Sequence, residues 1–109
     1  MDMVVKRFQV WLINLDPTVG QEIKKVRPCV VISPDELNKY LGTIIAVPMT
    51  SSNRPYPTRI NCTFKRKKGQ IALDQIRTLD KERLIQNLGS LEKETSRKVC
   101  NSLKELFEY

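Results

Sequence analysis

The segment Gly20-Gln21-Glu22-Ile23-Lys24-Lys25-Val26-Arg27-Pro28-Cys29-Val30-Val31-Ile32-Ser33 constrains this chain more than any other. A glycine turn, one acid, two lysines and an arginine stand directly before a run of β-branched residues, and such a run reads as a buried strand. Pro28 biases Arg27 towards extended backbone, so the strand is expected to begin at Arg27 and run to Ser33, with the guanidinium held where loop meets strand. A planar fork of donors at such a junction matches two phosphate oxygens. Taken alone, the same residue also reads as a surface arginine capping a strand end.

Other short strands surround this one. Phe8 to Leu15 is apolar at most positions and stops at Asp16-Pro17, a turn signal. The loop from there to Val26, about ten residues, is long for a small domain, and long loops tend to carry function. After Ser33-Pro34-Asp35, residues 36–41 predict a short helix closed by Gly42, with Leu37 and Leu41 facing the core. Thr43 to Val47 is a third strand, followed by the hydroxyl-rich stretch Pro48-Met49-Thr50-Ser51-Ser52-Asn53. Two more strands are expected over 58–64 and 70–76, joined by the basic turn Lys65-Arg66-Lys67-Lys68-Gly69; Ile60, Cys62 and Phe64 alternate with Arg59, Asn61 and Thr63, as on a sheet with one wet face. Five strands in about 70 residues imply a mainly β fold, a small and strongly curved barrel. Beyond it, Asp80 is placed to cap a helix over 81–87 with Gly89 as its stop, and a second helix is expected from Leu91 to Tyr109. Val99, Leu103, Leu106 and Phe107 make one stripe on that last helix, to pack on the barrel or on a second subunit.

A length of 109 residues suits one domain, here residues 1–109, and is too short for two cores. No apolar run approaches the ~20 residues that span a bilayer, and the N-terminus lacks a secretory pattern, so a cytoplasmic protein without a membrane partner is expected. Cys29, Cys62 and Cys100 are odd in number and far apart, and histidine is absent, so neither a disulfide framework nor a zinc site is suggested. Of the net charge of +7, most lies in the middle third, where residues 54–77 hold seven basic side chains against the single acid Asp74. Such a footprint suits a polyanion or an acidic peptide; for Lys65 to Lys68 alone, a solubilising hairpin tip reads equally well.

Several chemistries drop out. The chain has no histidine for acid-base work, no phosphate-binding glycine loop and no cluster of carboxylates to hold two metals, so no metal or cofactor is expected. One metal-free reaction suits arginine, hydroxyl and carboxylate groups on a basic surface: cleavage of RNA by its own 2′-hydroxyl, leaving a 2′,3′-cyclic phosphate and a 5′-hydroxyl. The substrate brings the nucleophile, and the protein need only align it and stabilise charge on the phosphorane.

Across nearly its whole length the chain resembles the MazF/PemK toxins of bacterial toxin-antitoxin pairs, a family that includes Kid and shares a fold with the gyrase poison CcdB. The matching segments, in order, are Val10-Trp11, Leu15 to Glu22, Val26 to Ser33, Val47 to Ser51, Tyr56-Pro57-Thr58, Leu73 to Thr78 and Leu88-Gly89. The resemblance implies an SH3-like barrel with a C-terminal helix, a homodimer, and a ribosome-independent endoribonuclease that cuts single-stranded mRNA at a short sequence and is neutralised by a cognate antitoxin. It places the catalytic pair at Arg27 and Thr50, with Glu22 as a supporting acid, and makes Gln75 and Arg77 candidates for contact with RNA or the partner subunit; Thr18, Ser51 and the loop lysines Lys24 and Lys25 are further candidates for RNA contact. Without the resemblance, Thr50 also reads as a strand-end cap, Arg77 as a partner for Asp80 or Asp74, and Asp74 as a structural group. A CcdB-like, non-catalytic gyrase binder is the alternative, since fold does not decide function; a passive RNA-binding module would instead bind in a salt-sensitive way without cutting. Two departures stand out: Lys24-Lys25 occupy a loop where many relatives carry small residues, and the first strand opens differently. Relatives commonly open their first strand with R-G-[DE], and here the residues are Arg7-Phe8-Gln9.

Overall fold

The computed structural model describes residues 3–109 and shows why the β-branched runs are where they are. Seven strands form one sheet: β1 (Gln9–Asn14), β2 (Val26–Val31), β3 (Thr43–Thr50), β4 (Arg59–Phe64), β5 (Lys67–Ala72), β6 (Arg77–Asp80) and β7 (Leu84–Ser90). Two helices accompany them, α1 (Asp35–Tyr40) and α2 (Lys93–Phe107). The order along the sheet is β4-β5-β3-β2-β1-β7, and β6 pairs with the first half of β3. β3 turns the corner: Thr43 to Ala46 pair with β6, Ala46 to Pro48 with β2, and Met49 and Thr50 with β5. A strand shared in this way curls the sheet into a half barrel.

Both faces of the central strands are buried, which explains their unbroken apolar sequence. Trp11, Ile13, Cys29, Val31, Ile44 and Ala46 look to one cluster, with Leu79, Leu84 and Val5. Their neighbours Val10, Val30, Ile32 and Val47 look to the other, with Ile60, Ile71, Leu73 and Leu91. Val99 of α2 is fully buried in the second cluster and Leu103 packs beside it, while Leu106 and Phe107 are exposed, so the helical stripe covers the barrel with only its first half.

The first turn is tied down by its own residues. Phe8 takes a φ of 68°, in the left-handed region that favours glycine, and its backbone bonds on two sides: its amide donates to the Val31 carbonyl at 2.7 Å and its carbonyl accepts from the Leu91 amide at 2.9 Å. Gln9 Oε1 accepts from the Lys6 amide at 2.8 Å and from the Trp11 indole at 3.0 Å, which fixes the start of β1.

Three expectations are corrected. Residues 81–87 are not a helix: after a short 3₁₀ turn at Lys81–Arg83, Leu84–Ser90 forms the edge strand β7 against β1. Leu84 and Leu88 lie four apart, a spacing open to either reading, and the free edge of β1 decides it. The run 70–76 ends as a strand at Ala72, turns through Leu73–Gln75, and a further strand, β6, follows at Arg77. In α1 Leu37 and Leu41 are exposed; the residue that enters the core is Asn38, which donates to the Ser33 carbonyl at 2.8 Å and accepts from the Ser33 hydroxyl.

Candidate active site

Arg27 and Thr50 stand at the ends of neighbouring strands. β2 and β3 pair antiparallel as far as Cys29 opposite Pro48, with Val30 opposite Val47. Arg27 lies two residues before Cys29 and Thr50 two residues after Pro48, where β3 pairs with β5. Each presents unused donors. Arg27 donates from Nε to the Lys24 carbonyl at 2.8 Å, which fixes the plane of the guanidinium and leaves both terminal nitrogens without a protein partner among the described residues. Thr50 is nearly buried, and its Oγ1 accepts from the Ser52 amide at 3.1 Å, which leaves the hydroxyl proton free to donate. The one salt bridge among the described residues lies elsewhere, between Arg59 and Asp74. Arg27 is therefore a positioned cation with no counter-ion.

The loop before Arg27 is braced from within and from behind. Gly20 and Lys25 both adopt positive φ, 57° and 74°. Glu22 accepts from the Val19 amide through Oε1 at 2.7 Å, and Thr18 donates to Asp16 at 3.2 Å, so both candidates shape the loop's outer turn. Lys24 and Lys25 are exposed beside Arg27; the Lys25 carbonyl accepts from the Leu15 amide at 2.9 Å and closes the loop at its base. From behind, Gln75 accepts from the Ile23 amide at 3.1 Å and donates to the Gln21 carbonyl at 3.5 Å. Arg77 donates to the Leu15 carbonyl at 2.9 Å, in place of a pairing with Asp80 or Asp74. Arg83, which sequence reasoning missed, donates to the carbonyls of Asn14 at 3.1 Å and Asp16 at 2.6 Å. No local pattern marks it; only the return of the chain beside β1 brings it there.

Cys29 lies under the arginines. Burial pushes its thiol up to about 12, against the opposing pull of the Arg77 and Arg27 charges, so it is an inert core group. Asp74 is committed as well: it accepts from Arg59 at 2.7 and 3.0 Å and from Thr58 at 3.0 Å, and the Arg59 bond, more than any other influence, holds its carboxyl below the usual range. Ser51, the last candidate, is exposed just past Thr50, at the mouth of a polar cleft between the β3–β4 loop and the β4–β5 hairpin. At the hairpin's tip only Lys65 and Arg66 form the turn, both with positive φ, while Lys67 and Lys68 belong to β5.

The protein is thus a curled β half barrel with an arginine free of any counter-ion at the end of β2 and a threonine with a free hydroxyl proton at the end of β3. The family model for the PemK-like, MazF-like toxin of type II toxin-antitoxin systems matches residues 6–107, and the chain belongs to that family. It is 36% identical to Endoribonuclease EndoA of Bacillus subtilis (strain 168), over 94% of this chain and 93% of that protein. Among solved structures it resembles MazF from Deinococcus radiodurans with a TM-score of 0.87 and 26% identity, covering 99% of this chain and 100% of that one. A crystal structure of MazE-MazF from the same organism matches with a TM-score of 0.79 and 27% identity, over 96% of each chain.

Proposed function

We propose that this protein is the toxin of a type II toxin-antitoxin pair and that it cuts single-stranded mRNA without a metal, through Arg27 and Thr50. The observation that carries the reading is the pair of unpartnered donor groups, the Arg27 terminal nitrogens and the Thr50 hydroxyl, held at the ends of the neighbouring strands β2 and β3 on a basic protein. The 2′-hydroxyl of the substrate attacks the adjacent phosphorus, negative charge grows on the non-bridging oxygens, and the P–O bond to the 5′-oxygen breaks as that oxygen takes a proton from water to become the 5′-hydroxyl. Arg27 meets that charge with two N–H groups and Thr50 with one O–H. In a partly dry site, each such donor contributes on the order of 3 kcal/mol to the transition state. Arginine, with a pKa above ~12, is a poor proton shuttle, so its contribution is electrostatic. Glu22 uses only one carboxylate oxygen within the loop and is assigned the supporting role, acceptance of the 2′-hydroxyl proton.

Lys24 and Lys25 supply phosphate contacts on the approach, and Thr18 and Ser51 polar ones. The working unit is a homodimer in the cytoplasm, and an antitoxin with an acidic segment neutralises it by covering the basic groove. A CcdB-like gyrase binder has no use for an arginine held free of any counter-ion beside a free hydroxyl. No described helix is long and apolar enough to cross a membrane.

The test is incubation of purified protein with long single-stranded RNA in EDTA, mapping cut positions and end groups. Cuts at one recurring short sequence, with 2′,3′-cyclic phosphate and 5′-hydroxyl ends, are expected. RNA that survives with and without Mg²⁺ in the presence of folded protein overturns the reading.

A further inference from the structure

The cleft that opens beside Thr50 is lined by Ser51, Asn53, Asn61, Thr63, Lys68 and Gln70 among others, with a volume of about 490 Å³, within the range of about 300–1,000 Å³ typical of small-ligand sites. Its floor is Gln70, which is 3% exposed and paired with Thr50 across β3 and β5. All of the Gln70 amide is used inward. Oε1 accepts from the Arg54 amide at 3.0 Å, and the two hydrogens of Nε2 serve the Arg54 carbonyl at 2.9 Å and Asn61 Oδ1 at 3.0 Å, with Asn53 Oδ1 sharing one of them at 3.3 Å.

This arrangement decides which way two surface asparagines point. Both turn their carbonyl oxygens to Gln70, so both leave an Nδ2 amide, a pure donor, without a protein partner among the described residues. Asn53 lies on the loop that follows Thr50, and Asn61 on β4, opposite Gln70 in the strand register. Two donors held from below by one buried glutamine make a preset pattern on the wall of the cleft. Such a pattern complements the carbonyl oxygens of a keto base, guanine or uracil. It opposes adenine and cytosine, which present exocyclic amino groups at the corresponding edge.

We propose that this cleft is a base-reading subsite, in which Asn53 and Asn61 select a guanine or uracil next to the scissile phosphate and Gln70 is their positioning residue. Lys68 at the rim suits the adjoining phosphate. The subsite rests on the ribonuclease reading above, and the experiment separates the two.

RNA substrates that differ only in the base at each position flanking the cut are compared by cleavage rate for the wild type, Asn61→Asp and Asn53→Asp. Aspartate keeps an acceptor for Gln70 and replaces the free donor by a second acceptor. Because an added carboxylate repels all RNA alike, the readout is the ratio of keto-base to amino-base cleavage rather than the absolute rate. The wild type is expected to favour the keto base about tenfold or more at one flanking position, and either variant to bring that ratio near one or invert it. Gln70→Leu, if it folds with an unchanged melting profile, is expected to lose the same preference. A wild type that cuts with no keto preference at any flanking position, or folded variants that keep the wild-type ratio, overturns the subsite and leaves the nuclease standing. A wild type that cuts no RNA overturns both.

Discussion

The backbone of Gly69 passes so close to Thr50 that a methyl group placed on it would lie 2.7 Å from the Thr50 carbonyl oxygen. The obstruction is backbone, with no side chain to swing aside. Gly69→Ala is therefore expected to push β5 away from the end of β3, at a cost of about 1–3 kcal/mol, and to displace the Thr50 hydroxyl. Reduced RNA cleavage together with a lowered denaturation midpoint checks this; an alanine variant with full activity would mean that Thr50 need not be held.

Arg27→Ala removes two unpartnered terminal nitrogens, and the one hydrogen bond its side chain makes among the described residues is to the Lys24 carbonyl. Cleavage is expected to fall by at least about a hundredfold with the fold intact. Arg27→Lys, which keeps charge but loses the fork, should recover only a small part. Thr50→Val, close in shape and without the hydroxyl, should lose about tenfold or more. Rate assays beside circular dichroism separate loss of chemistry from loss of fold.

Gln75 and Arg77 reach the loop backbone at Gln21, Ile23 and Leu15. Their replacement by alanine should let the Arg27 loop wander, and small misplacements of a catalytic group are costly. Expected is a kcat lowered about tenfold with KM little changed. Were these side chains mainly RNA contacts, KM would rise instead, so steady-state kinetics on a short RNA decides between the two.

Stability against pH has two edges set by named groups. Asp74 is held below its ordinary value of 3.8, chiefly by Arg59, so its contribution is complete above that value and is lost as pH falls through the folded-state value. Cys29 is raised by burial from 9.0 to about 12, so its contribution is complete below pH 9.0 and is lost as pH climbs towards 12. Asp74→Asn should flatten the acid edge and cost about 1 kcal/mol at neutral pH, the upper end of the range for a pair partly open to solvent. Cys29→Ala should flatten the alkaline edge. Denaturation midpoints across the pH range test both.

The sequence by itself determined the β-rich class, the long loop that ends in Arg27, the wet outer face of β4 and the concentration of positive charge, because these follow from local period, proline bias and composition. The order and spacing of its motifs also carried the family. Tertiary structure alone decided which ambiguous segments became strands: Leu84–Ser90 is strand because β1 offered it an open edge, and β6 because β3 did. The same holds for the site's supports. Arg83, Gln70 and Asn61 act through partners 9 to 69 residues away in sequence, and no local pattern can encode which backbone a side chain will meet across a curled sheet.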